Sequence, residues 1–238
     1  MGEIHYVGGG KGGVGKSTVC CALLEALMNV PDDEDMKSLT VFETDRSNPD
    51  VQRRYGRVME VRLAIYSEAD RFEDAANSVY NAALDNRVVV NLPAQEFPAM
   101  KQWWEVNHIA RISRNDGVKM HMWFVTDGGY DSIQLFKKSL KFYGLAMKHI
   151  LVKNYGRNDE FQALEDDEQL RLLIEESGTL QMDFPKLHGS RIRNKIDRES
   201  LTYGEVAAGG IADSINTVRV ARFLEKACEA FRDTGVLE

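Results

Sequence analysis

Eleven residues near the start of the chain, Gly8-Gly9-Gly10-Lys11-Gly12-Gly13-Val14-Gly15-Lys16-Ser17-Thr18, include six glycines and leave few folds open. They follow Glu3 to Val7, whose pattern predicts a strand, and they open Thr18 to Met28, whose spacing predicts an amphipathic helix. Gly10 to Ser17 spells G-x-x-x-x-G-K-S/T in the strand, loop and helix setting that gives this motif its meaning. Glycines let successive backbone N–H groups turn inward around phosphate oxygens. Lys16 then reaches the terminal phosphates, and the Ser17 hydroxyl completes a magnesium shell. The ligand expected for residues Gly10, Lys11, Gly12, Gly13, Val14, Gly15, Lys16, Ser17 and Thr18 is therefore a triphosphate.

A second lysine narrows the class. Lys11 to Thr18, Lys-Gly-Gly-Val-Gly-Lys-Ser-Thr, resembles the deviant Walker A motif of the ParA/MinD family of P-loop ATPases, whose members include plasmid partition and conjugation-accessory proteins. In that family the early lysine reaches the nucleotide of a second subunit, so the resemblance implies ATP and Mg2+ as cofactors and an ATP-dependent homodimer. A cation supplied in trans offsets charge on the transferring phosphoryl group, as an arginine finger does. The plain alternative for Lys11, taken by itself, is a solvated loop lysine.

At 238 residues and 43% hydrophobic composition, the chain can bury a substantial core and suits one α/β domain, 1–238. The net charge of -7 argues against coating nucleic acid by bulk charge, while a local basic patch stays possible. Cys20, Cys21 and Cys228 give neither metal-ligand spacing nor a disulfide framework, which points to a reducing cytoplasm. The start of the chain lacks the pattern of a secretion signal, and no apolar run reaches membrane-spanning length.

Pro31 to Asp35 reads as an acidic loop, and Ser38 to Phe42 as a buried strand. Glu43-Thr44-Asp45-Arg46-Ser47-Asn48-Pro49 is similar to the family's first switch, usually Asp-x-Asp-Pro-Gln. By position Asp45 takes the role of organising magnesium and the attacking water, while Glu43 and Arg46-Ser47 depart from the pattern. The other reading of Asp45 is a helix N-cap. Further on, the pattern gives a helix over Val51 to Arg57, a strand over Val58 to Tyr66, and a helix over Ser67 to Asp85 capped by Ser67. Val88 to Ala94 occupies the place of the second switch, where the family has an aspartate and this chain has Asn91. An amide accepts a hydrogen bond from magnesium-bound water but brings no charge, so slow hydrolysis is expected. Asn91 also suits a plain turn at a strand end.

Gln95 to Arg114 reads as one helix. Trp103 and Trp104 are neighbours on it and cannot both face the same core, so one of them is either partly buried, the commoner outcome, or exposed for a dimer or partner interface. Lys119 to Thr126 is a buried strand and Ser132 to Tyr143 a helix, with Lys137 and Lys141 on one solvated face. His149 to Lys153 is a strand ending at Asn154, the position where the resemblance places an asparagine against the adenine edge. Glu160 to Ser177 reads as helical or partly flexible, and Thr179 to Phe184 as the last strand. Arg191, Arg193, Lys195 and Arg198 form the densest basic cluster, a candidate DNA surface. The closing helix, Asp213 to Arg232, is expected to bury Ile215, Val218, Ala221, Phe223, Leu224 and Ala227, and the tail is not a basic amphipathic membrane anchor.

The expected fold is a doubly wound, mostly parallel twisted sheet with helices on both faces. The resemblance implies a dimeric ATPase switch for DNA segregation, cargo positioning or conjugative transfer, with slow hydrolysis stimulated by an adaptor protein. A different class on the same fold is a metabolic enzyme, such as an iron-sulfur carrier or an amide-forming ligase. Cluster carriers need cysteines at a dimer interface, whereas Cys20 and Cys21 sit on a helix expected to be packed.

Overall fold

The computed structural model describes residues 2–28, 38–64 and 69–237. The acidic loop Pro31 to Asp35 and the helix cap expected at Ser67 lie outside the described residues. Among the described residues, seven strands form one sheet: β1 (Glu3–Gly8), β2 (Leu39–Glu43), β3 (Val61–Leu63), β4 (Arg87–Asn91), β5 (Lys119–Thr126), β6 (Lys148–Asn154) and β7 (Leu180–Phe184). Their order is β3-β2-β4-β1-β5-β6-β7, and every pairing is parallel.

A parallel sheet is covered on both faces, so its strands are apolar in both directions. Val88, Val89 and Val90 of β4 are fully buried. Alternation then sorts side chains between two cores. Ile4, Tyr6, Met122 and Phe124 face α3 (Ala69–Ala82), α4 (Phe97–Val106), α5 (Ile109–Asp116), α6 (Tyr130–Tyr143), α7 (Gln162–Glu165) and α8 (Glu168–Ser177). Val7, Trp123 and Val125 face α1 (Lys16–Met28), α2 (Asp50–Tyr55), α9 (Ser190–Glu199), α10 (Tyr203–Ala207) and α11 (Ser214–Arg232). From β1 the chain leaves toward β2, and from the adjacent β5 it leaves toward β6 on the other side. That reversal opens a crevice at the carboxyl ends of β1 and β5, where open α/β sheets bind ligands.

Five expectations need correction. Among the described residues the strand expected over Val58 to Tyr66 is Val61–Leu63, because Val58 and Met59 turn back to bond the Tyr55 carbonyl; its last two positions lie outside the described residues. The helix over Gln95 to Arg114 is two helices, α4 and α5, broken at Asn107-His108, where His108 is left-handed with φ 51°. Trp103 and Trp104 are both buried. Helix α4 lies between two others: Trp103 Nε1 donates to Asn77 of α3 at 2.9 Å, and the Trp104 ring meets Tyr143 of α6 edge-on at 4.9 Å. Adjacent positions thus pack against different helices within one core.

Lys137 is buried rather than solvated, with Nζ 2.6 Å from Asp167, which joins α6 to the start of α8, while Lys141 is exposed. On α11, Ile215 is 71% and Val218 52% exposed. The buried stripe is Val220, Phe223, Ala227, Cys228 and Phe231. At about 100° per residue, Ile215 and Val218 lie roughly 140–160° around the helix from Val220.

Candidate nucleotide-binding site

The loop after β1 turns through left-handed glycines. Gly13 has φ +80° with open space where a Cβ would sit, and Gly15 has φ +95° with the Asn154 amide where its Cβ would be. The first needs glycine for conformation and the second also for room. Lys16 is buried at the start of α1 and donates from Nζ to the Lys11 carbonyl at 3.1 Å, which folds its ammonium back over the loop. Burial lowers its affinity for a proton, and the Glu96 and Asp45 carboxylates work against that.

Around the loop, strand ends supply the remaining groups. Glu43 and Asn91 are direct partners in the β2–β4 register. Glu43 Oε1 accepts from Asn91 Nδ2 at 2.9 Å and from the Asp45 N–H at 3.0 Å, and Oε2 accepts from the Val51 N–H at 3.0 Å. Burial pushes the Glu43 carboxyl up to about 7, against the pull of those donors. The other side of Asn91 Nδ2 approaches Ser17 Oγ at 3.5 Å, and Asn91 Oδ1 is buried without a hydrogen-bond partner. Asp45 Oδ1 accepts from the N–H groups of Ser47 and Asn48 at 3.0 and 3.1 Å, closing a local turn. It is not the N-cap of α2, which is Pro49.

Three groups near the loop went unread in the sequence. Asp127, at the end of β5, holds Lys11 Nζ at 2.7 Å. Burial raises its carboxyl, but the Lys11 ammonium and the Gly129 N–H outweigh that and hold it below the usual carboxylate range. Glu96 is buried beside the loop, and desolvation pushes its carboxyl up although Lys16 and the amides of Gly9 and Gly10 oppose it. Arg157 reaches the space near Gly15. No local motif marks these residues, since each earns its place only through a strand-end neighbour far away in sequence.

Asn154 is buried and occupied on both sides. Its Nδ2 donates to the Val14 carbonyl at 2.7 Å, and its Oδ1 accepts from the Gly156 N–H at 2.9 Å, so the amide braces the loop. Beside it, Thr18, Asn154, Arg157, Arg193, Asn194 and Asp197 help line a cavity of about 330 Å3. A larger cleft of about 720 Å3 lies along α11 between Pro185, Ile215, Val218 and Arg222, and no residue of the glycine-rich loop from Gly8 to Thr18 lines it.

The basic cluster is not one patch. Arg191, Lys195 and Arg198 share a face of α9 by i, i+4, i+7 spacing, whereas Arg193 turns to the 330 Å3 cavity. Lys195 bonds the Ile211 carbonyl, and Arg198 pairs with Glu199 at 2.8 Å. Helical geometry divides what proximity in sequence suggested.

The residues present fit a polyphosphate and a divalent ion: a loop open at Gly12 and Gly13, an ammonium turned over it, and a serine hydroxyl at the start of the helix that follows. No protein-family model matches the chain. In shape it is similar to a chain of the MinC:MinD cell division protein complex of Aquifex aeolicus, with a TM-score of 0.50 at 12% identity, covering 98% of this chain and 96% of that one. The likeness is one of fold, a parallel α/β sheet with helices on both faces. In sequence it is 30% identical over 189 residues to Protein MobD of Acidithiobacillus ferrooxidans, a match covering 78% of each chain. With its P-loop, its parallel sheet and that extent of identity, the chain belongs to the MobD family.

Proposed function

We propose that this chain, as one P-loop ATPase domain over 1–238, is a ParA-like switch. It binds ATP, dimerises on it, and is reset by slow hydrolysis that an adaptor protein stimulates. Kinship with MobD favours a conjugation-accessory setting over segregation or cargo positioning. The observation that carries the reading is the Lys16 ammonium folded over a loop of left-handed glycines beside the carboxyl end of β1. Such a cradle meets anionic charge with fixed N–H dipoles and one cation.

Lys16 and the loop amides from Gly10 to Thr18 hold the phosphates. Magnesium, where bound, would sit with Ser17 and Asp45 and supply charge neutralisation for phosphoryl transfer. Asp45 orients the attacking water, and Lys11 serves the partner's nucleotide. Asn154 holds the loop in shape and, with Arg157 and Arg193, bounds the cavity offered to the base. Nonspecific DNA, the proposed carrier, would meet the exposed residues Arg191 and Arg198 with Lys195, in two copies at once.

Among the described residues no helix is long and apolar enough to cross a membrane. The cytoplasm is the proposed location, in keeping with three free, buried cysteines. Those cysteines speak against the iron-sulfur alternative. Burial raises the thiols of Cys20 and Cys21, the latter to about 12, which opposes the thiolate a cluster needs. Calorimetry with ATP tests the reading: the parent binds, Lys16→Ala loses binding, and unchanged affinity in that variant would contradict it.

A further inference from the structure

Helix α11 has two ordered faces. Val220, Phe223, Ala227, Cys228 and Phe231 bury one of them in the core. Ile215, Val218, Arg219, Arg222 and Lys226, spaced i, i+3, i+4, i+7 and i+11, share the other, and all five line the 720 Å3 cleft. Pro185, Lys186 and the buried Phe223 help complete its lining. A lone exposed aliphatic residue needs no explanation, but Ile215 and Val218 stand one turn apart in the same cleft and are rimmed by charge.

That charge runs against the rest of the chain. The whole sequence carries -7, yet Lys186, Arg219, Arg222 and Lys226 line the cleft, and Glu225 is the one carboxylate among its described lining residues. Lys186 is held by Asp159 at 2.9 Å, and Arg219 Nη1 donates to Asn216 Oδ1 at 2.8 Å. Arg222 and Lys226 are exposed and enter no ion pair among the described residues. An occupant that fits must bring apolar side chains to Ile215 and Val218 and anionic groups to Arg222 and Lys226. A DNA duplex brings phosphates but no apolar ridge, whereas an amphipathic helix with an acidic border brings both. Pro185 and Phe223 also line the 330 Å3 cavity beside the glycine-rich loop, so the cleft and that cavity share a wall.

Resting on the nucleotide reading for its purpose, we propose that this cleft seats the adaptor: an amphipathic helix of a partner protein lays its apolar ridge on Ile215 and Val218 and its acidic border on Arg222 and Lys226. Through the wall at Pro185 and Phe223 the helix alters nucleotide affinity, and by reciprocity the nucleotide alters affinity for the helix.

The test uses a fluorescein-labelled helical peptide of about five turns, with leucine at i, i+3, i+4 and i+7 and glutamate on its flanks, and a twin with lysine in place of glutamate. Fluorescence anisotropy reads peptide binding to the parent, to Val218→Glu and to Arg222→Glu/Lys226→Glu, whose positions are all exposed, so each variant keeps the fold. Calorimetry reads the affinity for a slowly hydrolysed ATP analogue with and without saturating peptide. The parent binds the acidic peptide and not its lysine twin, and each variant binds it about tenfold or more weakly. The peptide shifts the analogue affinity about fivefold or more. A parent that does not bind the acidic peptide at about 1 mM, variants that bind it as the parent does, or an unchanged analogue affinity would overturn the proposal. So would a parent that self-associates through this face without peptide, or duplex DNA that displaces the peptide and binds Val218→Glu as well as the parent. A parent that binds the acidic peptide but no analogue would instead overturn the nucleotide reading, and the adaptor role with it, while the cleft would stand as a peptide site.

Discussion

Lys11 Nζ lies 2.7 Å from the Asp127 carboxylate of its own chain, across the crevice between the ends of β1 and β5. The lysine proposed to serve a partner's nucleotide is thus held in cis when the chain stands alone. Dimerisation has to break that pair. Both side chains are partly exposed, 34% and 24%, so the pair contributes no more than about 1 kcal/mol.

Asp127→Asn should therefore ease dimerisation. The variant is expected to need about two- to fivefold less ATP than the parent to reach half dimer, given the modest strength of such pairs. Light scattering across an ATP titration measures it. A variant that needs the same or more ATP would mean that the pair does not restrain Lys11.

The division of the basic cluster predicts separable effects. Arg193 faces the cavity that Asn154 and Arg157 also line, while Arg191 lies on the other face of α9. Arg193→Glu should lower nucleotide affinity several-fold more than Arg191→Glu, and Arg191→Glu should weaken nonspecific DNA binding, with the salt slope reduced. Equal effects of the two substitutions on both ligands would return the cluster to a single patch.

Acid should destabilise the fold through His149. This imidazole is buried, with Nδ1 3.0 Å from the Met147 carbonyl and Nε2 2.8 Å from Ser139 Oγ, so it is held neutral, with Nδ1–H as donor and Nε2 as acceptor. Burial lowers its folded value to about 4, against an unfolded value of about 6.5. The unfolded chain binds the extra proton between those limits. The stability it contributes is complete above about 6.5 and is lost as pH falls toward 4, amounting to about 2 kcal/mol at pH 5. Urea unfolding at pH 7 and pH 5 checks it, with His149→Gln expected to lose less on acidification than the parent. Equal losses would remove His149 from the account.

Much of the fold was legible because the chain's own patterns agree with it. Lys119 to Thr126 is a strand with the expected ends, and the phosphate loop stands between the expected strand and helix. What the pattern could not give was partners. The break at His108 depends on a left-handed residue that no glycine or proline announces. Trp103 and Trp104 are buried together only because α4 has helices on two sides, and Lys137 is buried only because α8 brings Asp167 to it. In the site, the loop was readable as a contiguous motif, while Lys11 and Asp127 lie 116 residues apart and meet only through adjacent strand ends.

The central claim is a nucleotide-controlled dimer, and its most direct test is sedimentation of the parent and Lys11→Ala in one buffer with ADP, with ATP and Mg2+, and with a slowly hydrolysed analogue. The account predicts a monomeric parent with ADP, a dimer with ATP or the analogue, and a Lys11→Ala protein that binds ATP yet stays monomeric throughout. A parent that remains monomeric with saturating ATP and Mg2+, or a Lys11→Ala protein that dimerises like the parent, would contradict it.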